Sequence, residues 1–292
     1  MKELHLFAGI GGGIYGGILL GHKCVGAIEI DEFCQKVLKQ RQKDTWMENF
    51  PIQGDLTKIS GEEYKNSFDI LCGGFPCQAF STAARGRNLQ EKDLWEEMLR
   101  FSKESKAPIV FAENVTRKAI DMAKNDLEKI GYKVSIAMVS NNIVGANHQR
   151  NRFWALAVRA DKLEMLKKMY KTIQKLPLLS GQFWTKEIEK CGMINEPIEK
   201  RKQLKGIGNA QSPIVVATAF RILTNRLYQH IIDENYIAKK VSIAPTQAEL
   251  SKVFKVEKNW IYKKYGDDFG FIHTPTTMAN NIYYKENYLW NL

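Results

Sequence analysis

Apolar residues in the first half of this chain gather into short runs, and the stretches between them carry apolar positions three and four apart. Short apolar runs bounded by glycine or acidic turns read as buried strands, and the wider spacing reads as helix. The pattern predicts strands at Leu4–Phe7, Val25–Ile28, Phe68–Cys72, Pro108–Ala112, Tyr132–Val139 and Phe153–Val158. Helices are predicted between them at Ile14–Leu20, Phe33–Arg41 and Lys118–Ile130. Strands alternating with helices, with loop chemistry gathered at strand C-terminal ends, describe a doubly wound α/β domain.

From Asp161 to Lys205 the pattern loosens. Lysines outnumber acids there, and the apolar residues Met169, Leu178, Phe183, Trp184 and Ile194 are scattered. Gly206 to Ala210 reads as a loop, Pro213–Ile232 as a long amphipathic helix, and Lys239-Lys240 as a linker to a separate unit. In that unit Thr246 and Glu249 form a capping box, with Leu250, Val253 and Phe254 on one helical face. Glu257–Tyr265 reads as a second helix with Trp260 and Ile261 inward and Lys258, Lys263 and Lys264 outward. Two short helices and a tight turn suggest a helix-turn-helix; a small helical cap on the catalytic domain is the alternative. The tail, with Ile282–Lys285 and Tyr288–Trp290, is read as a strand and a closing helix.

The 292 residues suffice for one large domain with an appendage. A formal net charge of +11 favours a polyanionic partner. No apolar run approaches the roughly 20 residues that span a bilayer. The N-terminal MKELHLFAGIGGG is interrupted by glutamate and filled with glycine, so it reads as a strand entering a loop rather than a signal sequence. The five cysteines, odd in number and without a CxxC pair, argue against a disulfide framework and a zinc site. The expectation is a cytoplasmic protein with reduced thiols and no metal.

A glycine loop after the first strand and an acid, Glu29, at the end of the second form a cradle for an adenosine-containing cofactor. The glycines alone leave nicotinamide, flavin and methyl-donor readings open. Gly9 to Gly13 do not match GxGxxG in the usual register, and no Lys-Ser/Thr follows them to cradle phosphates. In GGFPCQAFS, Cys77 stands in a loop stiffened by Pro76 just beyond a strand, where a helix N-terminus would favour the thiolate. Cys72 lies in the strand itself and reads as core. Glu113, at the next strand end, is placed to hold a proton near neutral pH if sheltered from water. His148-Gln149-Arg150-Asn151-Arg152 puts two guanidinium groups on one side of an extended segment.

Together these motifs resemble the DNA cytosine-5 methyltransferase family. Leu6 to Gly12 is similar to its S-adenosylmethionine loop, Gly74-Phe75-Pro76-Cys77-Gln78 to its nucleophile loop, and Glu113-Asn114-Val115 to its acid motif. His148, Arg150 and Arg152 resemble its QxRxR motif, and Gly208-Asn209-Ala210 its last motif. The resemblance covers roughly Met1 to Ile232. It implies a Rossmann-like methyltransferase domain from 1–160 and 206–238 and a short target-recognition region over 161–205; the helix-turn-helix pattern adds a C-terminal DNA-binding unit over 239–292. The last resembles the winged helix-turn-helix of excisionase and MerR-like proteins.

The same resemblance implies that Cys77 attacks cytosine C6, Glu113 protonates N3, Arg152 holds the O2 side and Arg150 supports the loop. Phe7, Gly9, Ile10, Gly12, Glu29, Ile30, Asp55, Pro76 and Asn209 would line the S-adenosylmethionine site, with S-adenosylhomocysteine as product. Gln78, Ser81, Trp184, Lys258 and Lys263 would face DNA. The implied protein is a monomer on double-stranded DNA, with a cognate restriction endonuclease as a further partner and no membrane. Departures from the family include His5 in place of Asp, Ile30 in place of an aromatic, and His148 in place of Gln. RNA methylation and a DNA-binding regulator with little catalysis are the competing readings.

Overall fold

The computed structural model describes residues 1–76, 94–146, 148–179, 201–231 and 242–255, and the backbone of 180, 197–200, 260–264 and 271–275. A mixed sheet organises the described residues. Its strands are β1 (Lys2–Leu6), β2 (Lys23–Ile28), β3 (Ile52–Gln53), β4 (Ile70–Gly74), β5 (Ile109–Asn114), β6 (Tyr132–Ser140) and β7 (Asn151–Arg159). They lie in the order β3-β2-β1-β4-β5-β7-β6. The first five of these neighbours run parallel, and β7 is antiparallel to both β5 and β6. The chain reverses its winding direction between β1 and β4, and such a switch point opens a crevice at the strands' carboxyl ends.

Both faces of the sheet are buried, as a parallel sheet requires. Ile70, Cys72, Ile109 and Phe111 enter one core cluster, while Leu71, Val110 and Ala112 enter the opposite one. Helices α1 (Gly12–Leu19) and α2 (Glu32–Lys43) follow β1 and β2, and α3 (Leu94–Ser105) and α4 (Arg117–Lys129) cover the second cluster. The other cluster is covered by α5 (Leu163–Ile173) and α7 (Pro213–Ile231), with α6 (Pro197–Asn209) lying between them in the chain. The expected doubly wound α/β architecture is thus present.

Several local readings are corrected. The stretch after Asp161 begins with α5, whose Leu166, Met169 and Ile173 are buried in the core. Gly206 to Asn209 form the last turn of α6 rather than a loop. α7 is not amphipathic: every residue from Ile214 to Leu227 is buried, because it lies between the sheet and its neighbouring helices.

Beyond α7 the capping box is formed as expected. Thr246 Oγ1 accepts from Glu249 N, and Glu249 Oε2 accepts from Thr246 N at 2.7 Å, at the start of α8 (Gln247–Ser251). Leu250, Val253 and Phe254 join the core cluster under α7. A short parallel ribbon pairs β8 (Leu179–Ser180) with β9 (Phe254–Lys255). The helix expected over Glu257–Tyr265 is contradicted. Trp260–Lys264 is instead β10, paired antiparallel with β11 (Phe271–Pro275). Trp260-Ile261-Tyr262 is a run of aromatic and β-branched residues, which fit a pleated surface better than a helix. Lys263 therefore stands on a strand, and Lys258 and the tail from 276 lie outside the described residues.

The Glu249 carboxylate also anchors Arg226 of α7. Arg226 Nε donates to Oε1 at 2.7 Å and Nη2 to Oε2 at 3.1 Å, while Nη1 donates to Ile136 O at 2.9 Å. Burial raises the Glu249 pKa, but the Arg226 hydrogen bonds outweigh it and leave it lowered. Glu249→Ala is expected to destabilise the fold by about 3 kcal/mol, because a buried guanidinium loses its counter-charge. Thermal unfolding checks this, and Glu249→Gln should recover part of the loss.

β1, in the interior of the sheet, buries a polar cluster. Glu3 Oε2 bonds His5 Nε2 at 2.9 Å and Oε1 bonds His22 Nδ1 at 2.7 Å. Burial works to raise the Glu3 pKa, yet the two imidazole hydrogen bonds bring it down to about 2. His5 is thus held by Glu3 as part of the core. The Cys72 thiol lies within 4.8 Å of the Glu3 and His5 ligand atoms, and burial pushes its pKa well up.

Candidate active site

The carboxyl ends of β1, β2, β4 and β5 open onto one cavity of about 850 Å³. The antiparallel β7 begins where β5 ends, with Phe153 opposite Asn114, so Arg152 arrives at the same edge. Among the residues expected at the site, Phe7, Gly9, Glu29, Ile30, Asp55, Pro76, Glu113, Arg152 and Asn209 all line this cavity.

The loop after β1 takes left-handed backbone at Phe7 (φ 53), Gly9 (φ 54) and Gly11 (φ 91). Glu29 pins it: Oε2 accepts from Gly9 N at 2.6 Å and Oε1 from Asp31 N at 2.8 Å. Each oxygen keeps a lone pair for a ligand hydroxyl. Asp55 Oδ1 accepts from Thr57 N and Oγ1 and caps the next turn. Across the cavity mouth, Lys205 of α6 reaches Asp31 Oδ2 at 3.0 Å. Lys205, which also lines the cavity, was not among the expected site residues.

Ile10 and Gly12 are not among this cavity's lining residues. Ile10 packs with Cys34 and Ala210, and its carbonyl accepts from Arg41 Nη1 at 2.8 Å. A Cβ on Gly12 would stand 2.0 Å from the backbone oxygen of Gln211. Gly12 is therefore required for close approach between the first loop and the chain after α6.

Glu113 sits in register with Gly74 at the inner end of the cavity and is 7% exposed. Gln211 Nε2 donates to its Oε2 at 3.0 Å, and Arg152 Nε lies 3.1 Å from its Oε1. The Arg152 contact is an ion pair without hydrogen-bond geometry, so Oε1 is buried and has no hydrogen-bond donor among the described residues. Burial raises the Glu113 pKa and outweighs the Arg152 charge and the Gln211 hydrogen bond, which lower it. A carboxyl so placed holds its proton to higher pH than an ordinary carboxylate. Next to it, Asn114 Nδ2 donates to Phe75 O at 2.9 Å and ties β5 to the loop leading to Cys77.

Arg150 points elsewhere. Its Nη2 donates to the carbonyls of Gly208 at 2.7 Å and Ala210 at 2.9 Å, so it braces the end of α6 and is not among the cavity's lining residues. Burial lowers its pKa to about 10. His148 Nε2 bonds Asn141 Nδ2 at 2.7 Å. Cys77, Gln78, Ser81 and Trp184 lie outside the described residues, though Pro76, immediately before Cys77, lines the cavity. Gln211 was missed by sequence reasoning; its one signal is that it directly follows Gly208-Asn209-Ala210.

The lining combines apolar Phe7, Ile28, Ile30 and Phe75 with the carboxylates of Glu29 and Asp55. Its size and this pairing of an apolar wall with hydroxyl acceptors fit a nucleoside-bearing cofactor.

A profile of the C-5 cytosine-specific DNA methylases matches residues 1–287. The Type II methyltransferase M.CviJI of Paramecium bursaria Chlorella virus IL3A is 34% identical over 167 residues, covering 55% of this chain and 44% of that protein. The Type II methyltransferase M.MspI of Moraxella sp is 32% identical, covering 53% of this chain and 38% of its own length. The chain thus spans less than half of either relative. Among solved structures, the S. pombe Dnmt2 methyltransferase aligns over 55% of this chain and 51% of its own, with 18% identity and a TM-score of 0.46. With the profile spanning nearly the whole sequence and its motifs gathered around one cavity, this chain belongs to the C-5 cytosine-specific DNA methylase family.

Proposed function

We propose that this chain transfers a methyl group from S-adenosylmethionine to C5 of cytosine in duplex DNA. The observation that carries the reading is Glu113: a buried carboxyl with a raised pKa and one oxygen lacking a donor among the described residues. It faces the cavity beside Arg152 and Pro76, at the loop that leads to Cys77. Phe7, Gly9, Glu29, Ile30, Asp55 and Asn209 are the residues proposed to hold the donor, whose sulfonium supplies an electrophilic methyl group.

Cytosine C6 is a poor electrophile, and the base is reached only after flipping from the duplex. The Cys77 thiolate forms a bond to C6 as Glu113 gives its proton to N3, which places enamine density on C5. C5 then takes the methyl group. Loss of the C5 proton to a base and departure of the Cys77 thiolate restore the 5,6 double bond, and N3 returns its proton to Glu113. Arg152 is proposed to hold the O2 side of the base, with Gln78, Ser81 and Trp184 toward DNA. Partnership with a restriction endonuclease is part of the same proposal; both relatives above carry Type II names.

The test is a methyl-acceptor assay with labelled S-adenosylmethionine, offering duplex DNA and tRNA side by side. Label in DNA alone is the expected result. Label in tRNA alone would move the substrate to RNA, and label in neither would remove the activity.

A further inference from the structure

We propose that Gln211 is a positioning residue that fixes the orientation of the Glu113 carboxyl for its proton transfer; this rests on the proposed cytosine chemistry. Gln211 lies between the end of α6 and the start of α7, outside every motif recognised in the sequence. Its Nε2 donates to Glu113 Oε2 at 3.0 Å, while Oε1 has no hydrogen-bond donor among the described residues and lies 3.1 Å from Arg152 Nε. With Oε2 held by the amide, the carboxyl is fixed in one orientation, and Oε1 beside Arg152 is the oxygen left to meet a pyrimidine nitrogen.

The surroundings of Gln211 show that this contact is built into the fold. A Cβ on Gly13 would come within 2.5 Å of Gln211 Oε1, and a Cβ on Gly74 within 2.7 Å of both Gln211 Nε2 and Glu113 Oε2. A Cβ on Gly12 would meet the Gln211 backbone oxygen. Glycines at the start of α1 and the end of β4 thus hollow out the slot that holds one amide. An ionised Glu113 only accepts hydrogen bonds, so it is the amide nitrogen that must face it. Arg150 holds the segment from the other side through the Gly208 and Ala210 carbonyls. The last motif, the cofactor loop and the strand before Cys77 therefore meet at Gln211, and through it they aim Glu113.

The experiment uses the full chain carrying Gln211→Met, which keeps the length of the side chain and removes the donor. Two readouts are taken: the pH dependence of methyl transfer at saturating substrates, and a carbon-13 NMR titration of the Glu113 carboxyl, assigned with Glu113→Gln. The hydrogen bond favours the ionised carboxylate, so its loss is expected to raise the Glu113 midpoint by about one unit. The alkaline limb of the rate profile should rise with it, and kcat should fall about tenfold with KM for cofactor and DNA little changed. A merely structural role would lower activity at every pH and leave the midpoint and the limb in place, which would overturn the proposal. So would a change in KM alone. Gln211→Asn, one methylene too short to reach Oε2, is expected to give the same shift and serves if the Met variant does not fold. Absence of methyl transfer by the unsubstituted chain would overturn the proposed function, and the carboxyl titration would then decide the Gln211 contact by itself.

Discussion

Glu113→Gln is expected to lower methyl transfer to duplex DNA about a thousandfold, the range in which a positioned general acid acts. The amide keeps the size of the carboxyl and a hydrogen-bond donor, so cofactor binding should stay close to that of the parent chain. What it lacks is a proton to give to N3. The wild-type rate should decline on the alkaline side as Glu113 ionises, at a pH above the ordinary carboxylate range because burial raises its pKa. The Gln variant should show no such limb. Single-turnover rates across pH, with cofactor affinity from calorimetry, check both parts. A variant that keeps activity, or one whose loss lies wholly in cofactor binding, would contradict the role.

The second large effect is expected at Gly12→Ala. The added methyl would stand 2.0 Å from Gln211 O and 3.0 Å from its carbonyl carbon, and backbone atoms cannot turn aside as a flexible side chain does. Either the loop after β1 or the joint between α6 and α7 must move. Overpacking of this kind costs about 3 kcal/mol. The movement would also disturb Gly9, which Glu29 fixes at the cavity, and the Gln211–Glu113 contact. The variant should unfold at a lower temperature and bind S-adenosylmethionine about tenfold more weakly, since misplacement near 1 Å is enough to lose that much. Calorimetry and thermal unfolding check it; parent-like values in both would show that the close approach carries no weight.

These residues also show what the sequence can and cannot convey. The strands were legible because a parallel sheet buried on both faces needs unbroken apolar runs, and Ile70-Leu71-Cys72 and Ile109-Val110-Phe111-Ala112 are such runs. Glu29, Glu113 and Arg152 could be named because polar residues at strand ends stand out against those runs. Helix α5 was passed over because its lysines drew attention from the buried spacing of Leu166, Met169 and Ile173. The end of α6 was misread because Gly206 and Gly208 lower helix propensity, which tertiary packing overrides. Around Gly206 the reason is visible: a Cβ there would come 3.1 Å from Ile10. The Trp260 segment reads as helix from its apolar spacing, and its pairing with Phe271–Pro275 makes it a strand. Gln211 gave almost no signal, because its function comes from glycines distant in sequence that make room for it. Ile10 and Gly12 lie within the same motif but pack against the chain around Ala210 and Gln211.

The central claim is that this chain methylates cytosine in DNA through Cys77. It is tested most directly by nucleoside mass spectrometry of DNA from cells expressing the chain, beside cells expressing Cys77→Ala. The expected result is 5-methylcytosine with the intact cysteine and none with the variant. Equal 5-methylcytosine in both would contradict the claim, as would its absence in both when the purified chain also leaves duplex DNA unmodified.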